Sequence, residues 1–159
     1  MKTTFLKGDM GMASSVHVEK VNVGVSSLWP FLLDKESWAT LIPGYLHHEL
    51  KSENEMIWVF KGNFGIVEKA VKVELKVTEI IENEKISFDL IGLSDNINGN
   101  GYYEISQLDD GTCQLSGCLD MKAGGFLAAM INPVLENFVP KTTEELVKEM
   151  ANHITQTAV

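Results

Sequence analysis

The sequence is poor in cysteine and in basic residues, and it lacks long apolar runs. Two cysteines occur in 159 residues, and 13 basic residues stand against 22 acidic ones, which gives a formal net charge of −9. Binding to nucleic acid takes clustered Lys and Arg, so we expect no nucleic-acid partner. No stretch reaches about 18 apolar residues, and none near the N-terminus has the length of a signal-peptide core. We therefore expect a cytoplasmic protein with no integral membrane segment.

The two cysteines, Cys113 and Cys118, lie five residues apart on one predicted strand. At about 3.3 Å per residue, their Cα atoms are separated by roughly 16 Å. Bridged Cα atoms lie within about 7 Å of each other, which excludes a disulfide between these two residues. We predict two free thiols that act as small, buried apolar side chains.

The histidines, glycines and carboxylates form none of the patterns that mark a metal site or an active site. No two of the four histidines lie at i, i+4 on a helix, and none is grouped with a cysteine. Gly99 and Gly101 lie in a strand pattern, where they indicate a bulge or a close helix approach, not a nucleotide-binding loop. Carboxylates on the strands occupy positions typical of a solvated face. We predict no catalytic residue, no metal and no cofactor.

The chain divides into a short arm and one domain. Its length, with 45% hydrophobic and 22% charged residues, is ordinary for a single globular domain, and no repeat or linker interrupts it. We assign residues 1–13 to a mobile N-terminal arm and residues 14–159 to the domain. The domain begins with a strand at residues 14–23, where Val16 and Val18 alternate with polar residues, and this strand is predicted to lie at an edge or end of the sheet.

Two short helices are predicted after the first strand. Residues 25–34 begin with a serine able to cap a helix and place Pro30 in the first turn, where its missing N–H costs little. A second helix is predicted for residues 35–41. It ends at Ile42-Pro43-Gly44, because proline and glycine together stop a helix and reverse the chain.

A meander of about six antiparallel strands is predicted for residues 45–122. Apolar and polar residues alternate there with a period of two, most clearly from Val71 to Val77, and turn signals divide the region into hairpins. Residues 124–154 return to helical spacing. Pro133 and Pro140 indicate either a kink in one helix or two abutting helices. The predicted fold is α+β, with a curved antiparallel sheet of about seven strands around a long kinked C-terminal helix.

This order of elements resembles the helix-grip fold of the START-like (SRPBCC) superfamily. The apolar helix and aspartate of residues 28–34, followed by the turn at residues 41–44, are similar to the CoxG-like branch of that superfamily, which is associated with carbon monoxide dehydrogenase. The strand at residues 99–105 and the helix start at residues 124–127 extend the resemblance over nearly the whole domain. The resemblance implies a cavity between sheet and helix that binds lipids, quinones, polyketides or other hydrophobic molecules. The CoxG branch further implies a link to molybdenum hydroxylase systems.

Candidate pocket residues come from the apolar and aromatic positions of the strands and the last helix. Such stripes form the core in most proteins, but one helix across a wide curved sheet does not easily fill the enclosed volume. Lys69 shares the parity of the apolar positions that follow it, which places it at a pocket mouth unless a bulge shifts the register or its stem reaches water. The predicted ligand-binding residues are Trp58, Phe60, Lys69, Met121, Phe126, Met130 and Val134.

The sequence is compatible with three functions. The leading hypothesis is a non-enzymatic carrier or sensor that binds a small hydrophobic molecule by apolar burial. The second is an accessory protein that assists the assembly or cofactor loading of a partner enzyme, which predicts an exposed apolar patch. The third is an enzyme such as a cyclase, dehydratase or hydrolase, which needs polar groups converging on a pocket.

Overall fold

A computed structural model describes residues 2–7, 13–64, 67–93 and 96–157 of the chain. These residues form one antiparallel sheet of eight strands together with three helices. The strands are β1 (Lys2–Lys7), β2 (Ala13–Val21), β3 (Tyr45–Ser52), β4 (Glu55–Phe64), β5 (Val67–Ile81), β6 (Lys85–Gly92), β7 (Ile97–Asp109) and β8 (Thr112–Ala123). The helices are α1 (Val25–Leu33), α2 (Lys35–Ala39) and α3 (Ala128–Thr157).

The strand order in the sheet is β1-β2-β8-β7-β6-β5-β4-β3. Strands β3 to β8 form a meander of hairpins, and β2 joins β8 at its far side. The predicted helix-grip fold is confirmed. One strand more than expected is present, because Lys2–Lys7 of the predicted mobile arm pairs with β2, which is therefore not the edge strand. Of the rest of the predicted arm at residues 1–13, Ala13 begins β2, and residues 1 and 8–12 lie outside the described residues.

The two short helices cover one end of the sheet. Helix α1 buries Leu28, Trp29, Phe31 and Leu32, and its N-cap is Gly24 without a side-chain hydrogen bond, so the predicted serine cap is wrong. The carboxylate of Asp34 caps α2 instead, accepting hydrogen bonds from the Glu36 amide at 3.1 Å and the Ser37 hydroxyl at 2.9 Å. An acceptor at this position satisfies an N–H that has no partner within the helix.

The interior beside these helices is filled by aromatic rings. The Trp38 ring of α2 lies 5.5 Å from Trp58, 6.0 Å from Phe88 and 5.0 Å from Tyr103, measured between centroids. Both indoles donate hydrogen bonds to backbone carbonyls, Trp38 to Leu32 at 3.0 Å and Trp58 to Ala39 at 2.8 Å. Because their polar atoms are satisfied, the two indoles can be buried completely.

The C-terminal segment forms the single helix α3, which contains both Pro133 and Pro140. The alternative of two abutting helices is therefore wrong, and Thr142 is a buried residue within the helix and not a cap. The helix packs mainly against β2 and β8. At Gly117 of β8 the helix lies so close to the sheet that an added Cβ atom would be 2.4 Å from Cγ2 of Val147.

The glycines of β7 serve neither a bulge nor a helix contact. Gly99 and Gly101 pair in regular register with β6 and β8. A Cβ atom at Gly101 would lie 2.8 Å from the ring of Phe88, so the missing side chain makes room for that ring.

A candidate ligand-binding cleft

A cleft of about 520 Å³ lies near the β3 edge of the sheet. Its walls come from strand β4, from the turn that precedes β3, and from the middle of α3. This volume falls within the range of roughly 300–1,000 Å³ that is typical of small-molecule sites.

The turn at residues 42–45 forms the first wall. The amide of Tyr45 donates a hydrogen bond to the carbonyl of Ile42 at 3.1 Å, and Gly44 has a φ angle of 75°. Proline followed by a glycine with positive φ fits a type II turn. The amide of Lys61 donates to the Gly44 carbonyl at 2.7 Å, and a Cβ atom at position 44 would lie 2.2 Å from the Lys61 carbonyl oxygen. Only glycine therefore allows the turn to lie against β4.

A chain of hydrogen bonds also connects this turn to α2. The hydroxyl of Tyr45 lies 2.7 Å from Nδ1 of His48, and Nε2 of His48 lies 2.8 Å from the Glu36 carboxylate. Of the adjacent histidines, His48 is half-buried toward α2, whereas His47 is exposed. These hydrogen bonds join α2, which precedes the turn, to β3, which follows it, and so hold the turn in place.

One face of α3 forms the opposite wall. Its lining residues recur at three- and four-residue intervals, which is the spacing of one helix face. The apolar part of this wall is Pro133, Val134 and Phe138. The Phe138 ring stacks on Phe60, with centroids 6.5 Å apart and ring planes 10° apart. Through Phe138, the apolar end of the cleft is therefore continuous with the aromatic cluster in the core.

The remaining lining is polar and carries both signs of charge. The charged residues of the lining are Lys61 on β4, Lys141 on α3, and Glu145, one turn beyond Lys141. Asn63, Asn137 and Thr142 add uncharged hydrogen-bonding groups. An apolar surface with a few polar groups is the composition typical of a site that orients a small ligand.

The structure distributes the seven predicted ligand-binding residues over several environments. Val134 lines the cleft. Trp58, Phe60 and Met121 are buried in the core. The remaining candidates are solvent-exposed: Lys69 on β5, Phe126 just before α3 and Met130 in its first turn. The role of these seven residues in binding stays a prediction.

Several lining residues lie outside the set predicted from the sequence. Phe138 and Thr142 lie on the helical stripe of α3, and the Ile-Pro-Gly turn was recognised only as a helix stop, so a signal existed for these positions. Lys61 alternates with the buried Phe60, which gives it the parity of the outer face. No local pattern marks Lys61 or Asn63 as part of a site.

The buried thiols and phenol provide no reactive group. Both cysteines are free and buried, as predicted. Burial, together with the nearby Asp120 carboxylate, raises the pKa of Cys118 to about 12, and burial also raises the pKa values of Cys113 and Tyr103. In the part of the chain that the structure describes, no three His, Cys, Asp or Glu side chains are grouped as metal ligands. No helix in that part is both long and apolar enough to cross a bilayer.

Known protein structures share this architecture at low sequence identity. A conserved protein from Geobacillus kaustophilus has a TM-score of 0.75 and 18% identity, over 91% of this chain and 96% of that one. A START superfamily protein from Mycobacterium smegmatis has a TM-score of 0.72 and 14% identity, over 90% and 97%. The ZhuI aromatase/cyclase from Streptomyces sp. R1128 has a TM-score of 0.71 and 13% identity, over 93% and 96%.

Two comparisons at the sequence level gave different results. No curated protein sequence matches the chain. A protein-family model matches residues 12–154, which is nearly the whole chain. The chain thus shares the helix-grip fold of structural neighbours that include a START superfamily protein and an aromatase/cyclase.

Proposed function

We propose that this protein binds a small hydrophobic molecule, such as a lipid, quinone or polyketide, in the cleft between the sheet and α3, and acts as its carrier or sensor. The observation that carries the proposal is the cleft itself, with apolar groups from Pro133, Val134 and Phe138 on α3. Burial of ligand surface against these groups supplies affinity at roughly 25 cal/mol per Å². The START superfamily and aromatase/cyclase neighbours support the same class of function.

A neutral fluorescent probe tests this proposal. N-phenyl-1-naphthylamine brightens in apolar surroundings, so its titration reports occupancy of the cleft. Val134→Trp places an indole in the cleft and is expected to abolish the signal. Met130→Trp places the same bulk one helical turn earlier, where the native side chain is 72% exposed, and is expected to leave binding intact. Equal binding by the native protein and Val134→Trp would contradict the proposal.

Native mass spectrometry of the purified protein complements the probe. A mass excess over the denatured chain, absent from Val134→Trp, would reveal a co-purifying ligand whose extraction identifies its class. Loss of the ligand in Met130→Trp together with its retention in Val134→Trp would place the site around Met130 at the start of α3 instead.

A second candidate function is an accessory role in the assembly or cofactor loading of a partner enzyme, as the CoxG resemblance implies. A specific observation favours it. Three large apolar side chains lie exposed around the start of α3: Phe126 is 99% exposed, Met130 72% and Leu127 48%. Exposed apolar patches on soluble proteins often mark sites of protein contact.

Photocrosslinking distinguishes the accessory role from the carrier role. A benzophenone side chain replaces Phe126 in cells, and a control places it at Leu108, which is also exposed but lies at the opposite end of the β7–β8 hairpin. The accessory role predicts one dominant protein adduct at position 126, which Met130→Asp removes, and none at position 108. Equal labelling at the two positions would contradict it.

A further inference from the structure

Strand β3 lies at one end of the sheet and has one unpaired side. It pairs with β4 and with no other described strand. An edge strand presents N–H and C=O groups that can pair with another chain. The pairing of β3 with β4 is irregular after Tyr45 and again after Leu50, and residues 47–50 between these points pair regularly with residues 56–59. The regular part of this edge is therefore short.

Apolar and polar side chains are both exposed along this edge. Leu46 and Leu50 are 50% and 47% exposed. His47 and Glu49 are exposed as well, and neither side chain makes a hydrogen bond or an ion pair with another described residue. His48, between them, is already bonded within the molecule. The edge therefore offers two leucines, one imidazole and one carboxylate to a partner.

The segment Leu46-His47-His48-Glu49-Leu50 complements a second copy of itself. When two copies run antiparallel with His48 opposite its counterpart, Leu46 faces Leu50 and His47 faces Glu49. Each of these pairs occurs twice, about a two-fold axis. Side chains directly opposite each other in antiparallel strands are neighbours on one face of the sheet. Leucine therefore contacts leucine, and an imidazole N–H can donate to a carboxylate.

Other registers of the two strands lose this match. A shift by one residue places Leu50 opposite His47 in one direction and Leu46 opposite Glu49 in the other. A shift by two residues places either the two Glu49 carboxylates or the two His47 rings opposite each other. Apolar side chains that face polar ones, and like charges that face each other, disfavour these alternatives. The sequence of β3 therefore specifies one register.

We propose that the protein forms a symmetric homodimer through the β3 edges of two copies, in which the two sheets become continuous. This inference is independent of the ligand-binding proposal. The contact spans residues 46–50 of each copy, and so small an interface belongs to the class of weak, transient contacts. We expect a monomer at low micromolar concentration and a dimer at high micromolar concentration. Because the two-fold contact uses both β3 edges, association through this edge stops at two copies.

Sedimentation velocity of the native chain and of charge variants tests the register. His47→Glu places a carboxylate opposite the Glu49 carboxylate, and Glu49→Lys places an ammonium opposite the His47 ring. Each replaces two favourable pairs by unfavourable ones, so each should weaken dimerisation by about fivefold to thirtyfold. Glu82→Lys, at an exposed position in the turn between β5 and β6, changes the net charge as Glu49→Lys does and is expected not to weaken the dimer.

Mixing the two charge variants tests the pairing directly. In a heterodimer of His47→Glu with Glu49→Lys, the introduced glutamate faces the introduced lysine, and the native His47 faces the native Glu49. We therefore expect the mixture to associate about as strongly as the native chain, although each variant alone is mostly monomeric. Misfolded variants could not restore each other in this way.

The leucines are tested against a matched position. Leu46→Gln should weaken the dimer by about tenfold, because its apolar contact with Leu50 is lost twice. Leu108→Gln changes a leucine outside β3 that is equally exposed, 50% in both cases, and should leave the dimer unchanged. Thermal midpoints verify the folding of all variants.

The inference is overturned by any of the opposite results. A native chain that stays monomeric into the millimolar range would leave the β3 edge to an extended segment of another protein. A dimer that persists in both His47→Glu and Leu46→Gln forms through another surface, such as the exposed side chains around Phe126. Failure of the two charge variants to associate on mixing would exclude the pairing of His47 with Glu49.

Discussion

On the inner face of β2, Nε2 of His17 lies 3.0 Å from a carboxylate oxygen of Glu19. Both residues are buried, His17 at 1% exposure and Glu19 at 8%. Helix α3 packs over this strand. Gly117 of β8 pairs with His17 in the sheet and lies against Val147 of α3. A polar pair thus occupies part of the surface that the helix covers.

The first prediction concerns this pair. Glu19→Ala removes a partner of the buried His17 ring, and a buried polar group that loses a hydrogen bond costs about 1–3 kcal/mol. We expect the free energy of unfolding in urea to fall by that amount. Glu49→Ala, at an exposed position on β3, is the control and should change it by less than about 0.5 kcal/mol. Equal effects of the two substitutions would mean that the His17–Glu19 pair does not stabilise the fold.

The second prediction concerns the contact between α3 and the sheet. Gly117→Ala places a methyl group 2.4 Å from Cγ2 of Val147, which forces the helix away from β8. Overpacking of this kind costs about 1–3 kcal/mol. Val147→Ala removes the clashing methyl groups, so the double variant should be less destabilised than the sum of the two single variants. A double-mutant cycle in urea measures this coupling, and strict additivity would contradict the close approach.

Strand β2 illustrates what the sequence could and could not predict. Alternation of Val16 and Val18 with polar residues correctly indicated a strand, because the period of two is a local property. By hydrophobicity alone, the valines would face the core. The structure instead buries His17 and Glu19 and leaves the valines half-buried, because the face of a strand is decided by the helix that packs on it. The period was predictable from the sequence, whereas the buried face was not.

The residues of the cleft, too, were predictable from the sequence only in part. Val134 could be identified because it lies on the apolar stripe of α3, and stripes are visible in the sequence. Lys61 enters the cleft because the turn at Gly44 packs against its backbone, a contact between residues 17 positions apart. The proline-glycine turn was recognisable, but its packing partner was not. Pairings between distant segments depend on the whole fold and leave no local pattern.

The third prediction tests this turn. Gly44→Ala introduces a Cβ atom at a φ of 75° and 2.2 Å from the Lys61 carbonyl oxygen, which is a backbone atom of the neighbouring strand. Left-handed backbone alone costs about 1–2 kcal/mol for alanine, and the clash adds to it. We expect loss of about 2 kcal/mol or more in stability, together with weaker binding of N-phenyl-1-naphthylamine as the wall shifts. Gly111→Ala, where an added Cβ meets no atom within 4 Å, should be tolerated.

The fourth prediction concerns alkaline pH. Burial raises the pKa of Cys118 to about 12, with a further contribution from Asp120, whereas an unfolded thiol titrates near about 8.5. Since the folded pKa is the higher one, the thiol contributes stability that is fully present below about pH 8.5 and is lost as the pH rises toward 12. The unfolding free energy of the native protein should therefore fall more steeply above about pH 9 than that of Cys118→Ala.

Thiolate absorbance checks the same group directly. In Cys113→Ala only Cys118 can form a thiolate, and subtracting the spectrum of the Cys113→Ala/Cys118→Ala double variant cancels the tyrosine contribution. The folded protein is expected to show no thiolate band at about pH 10, whereas the urea-unfolded chain shows a full band there. A folded-state midpoint near 8.5 would mean that water reaches Cys118 on the outer face of β8. In that case the stability difference between the native protein and Cys118→Ala would not depend on pH.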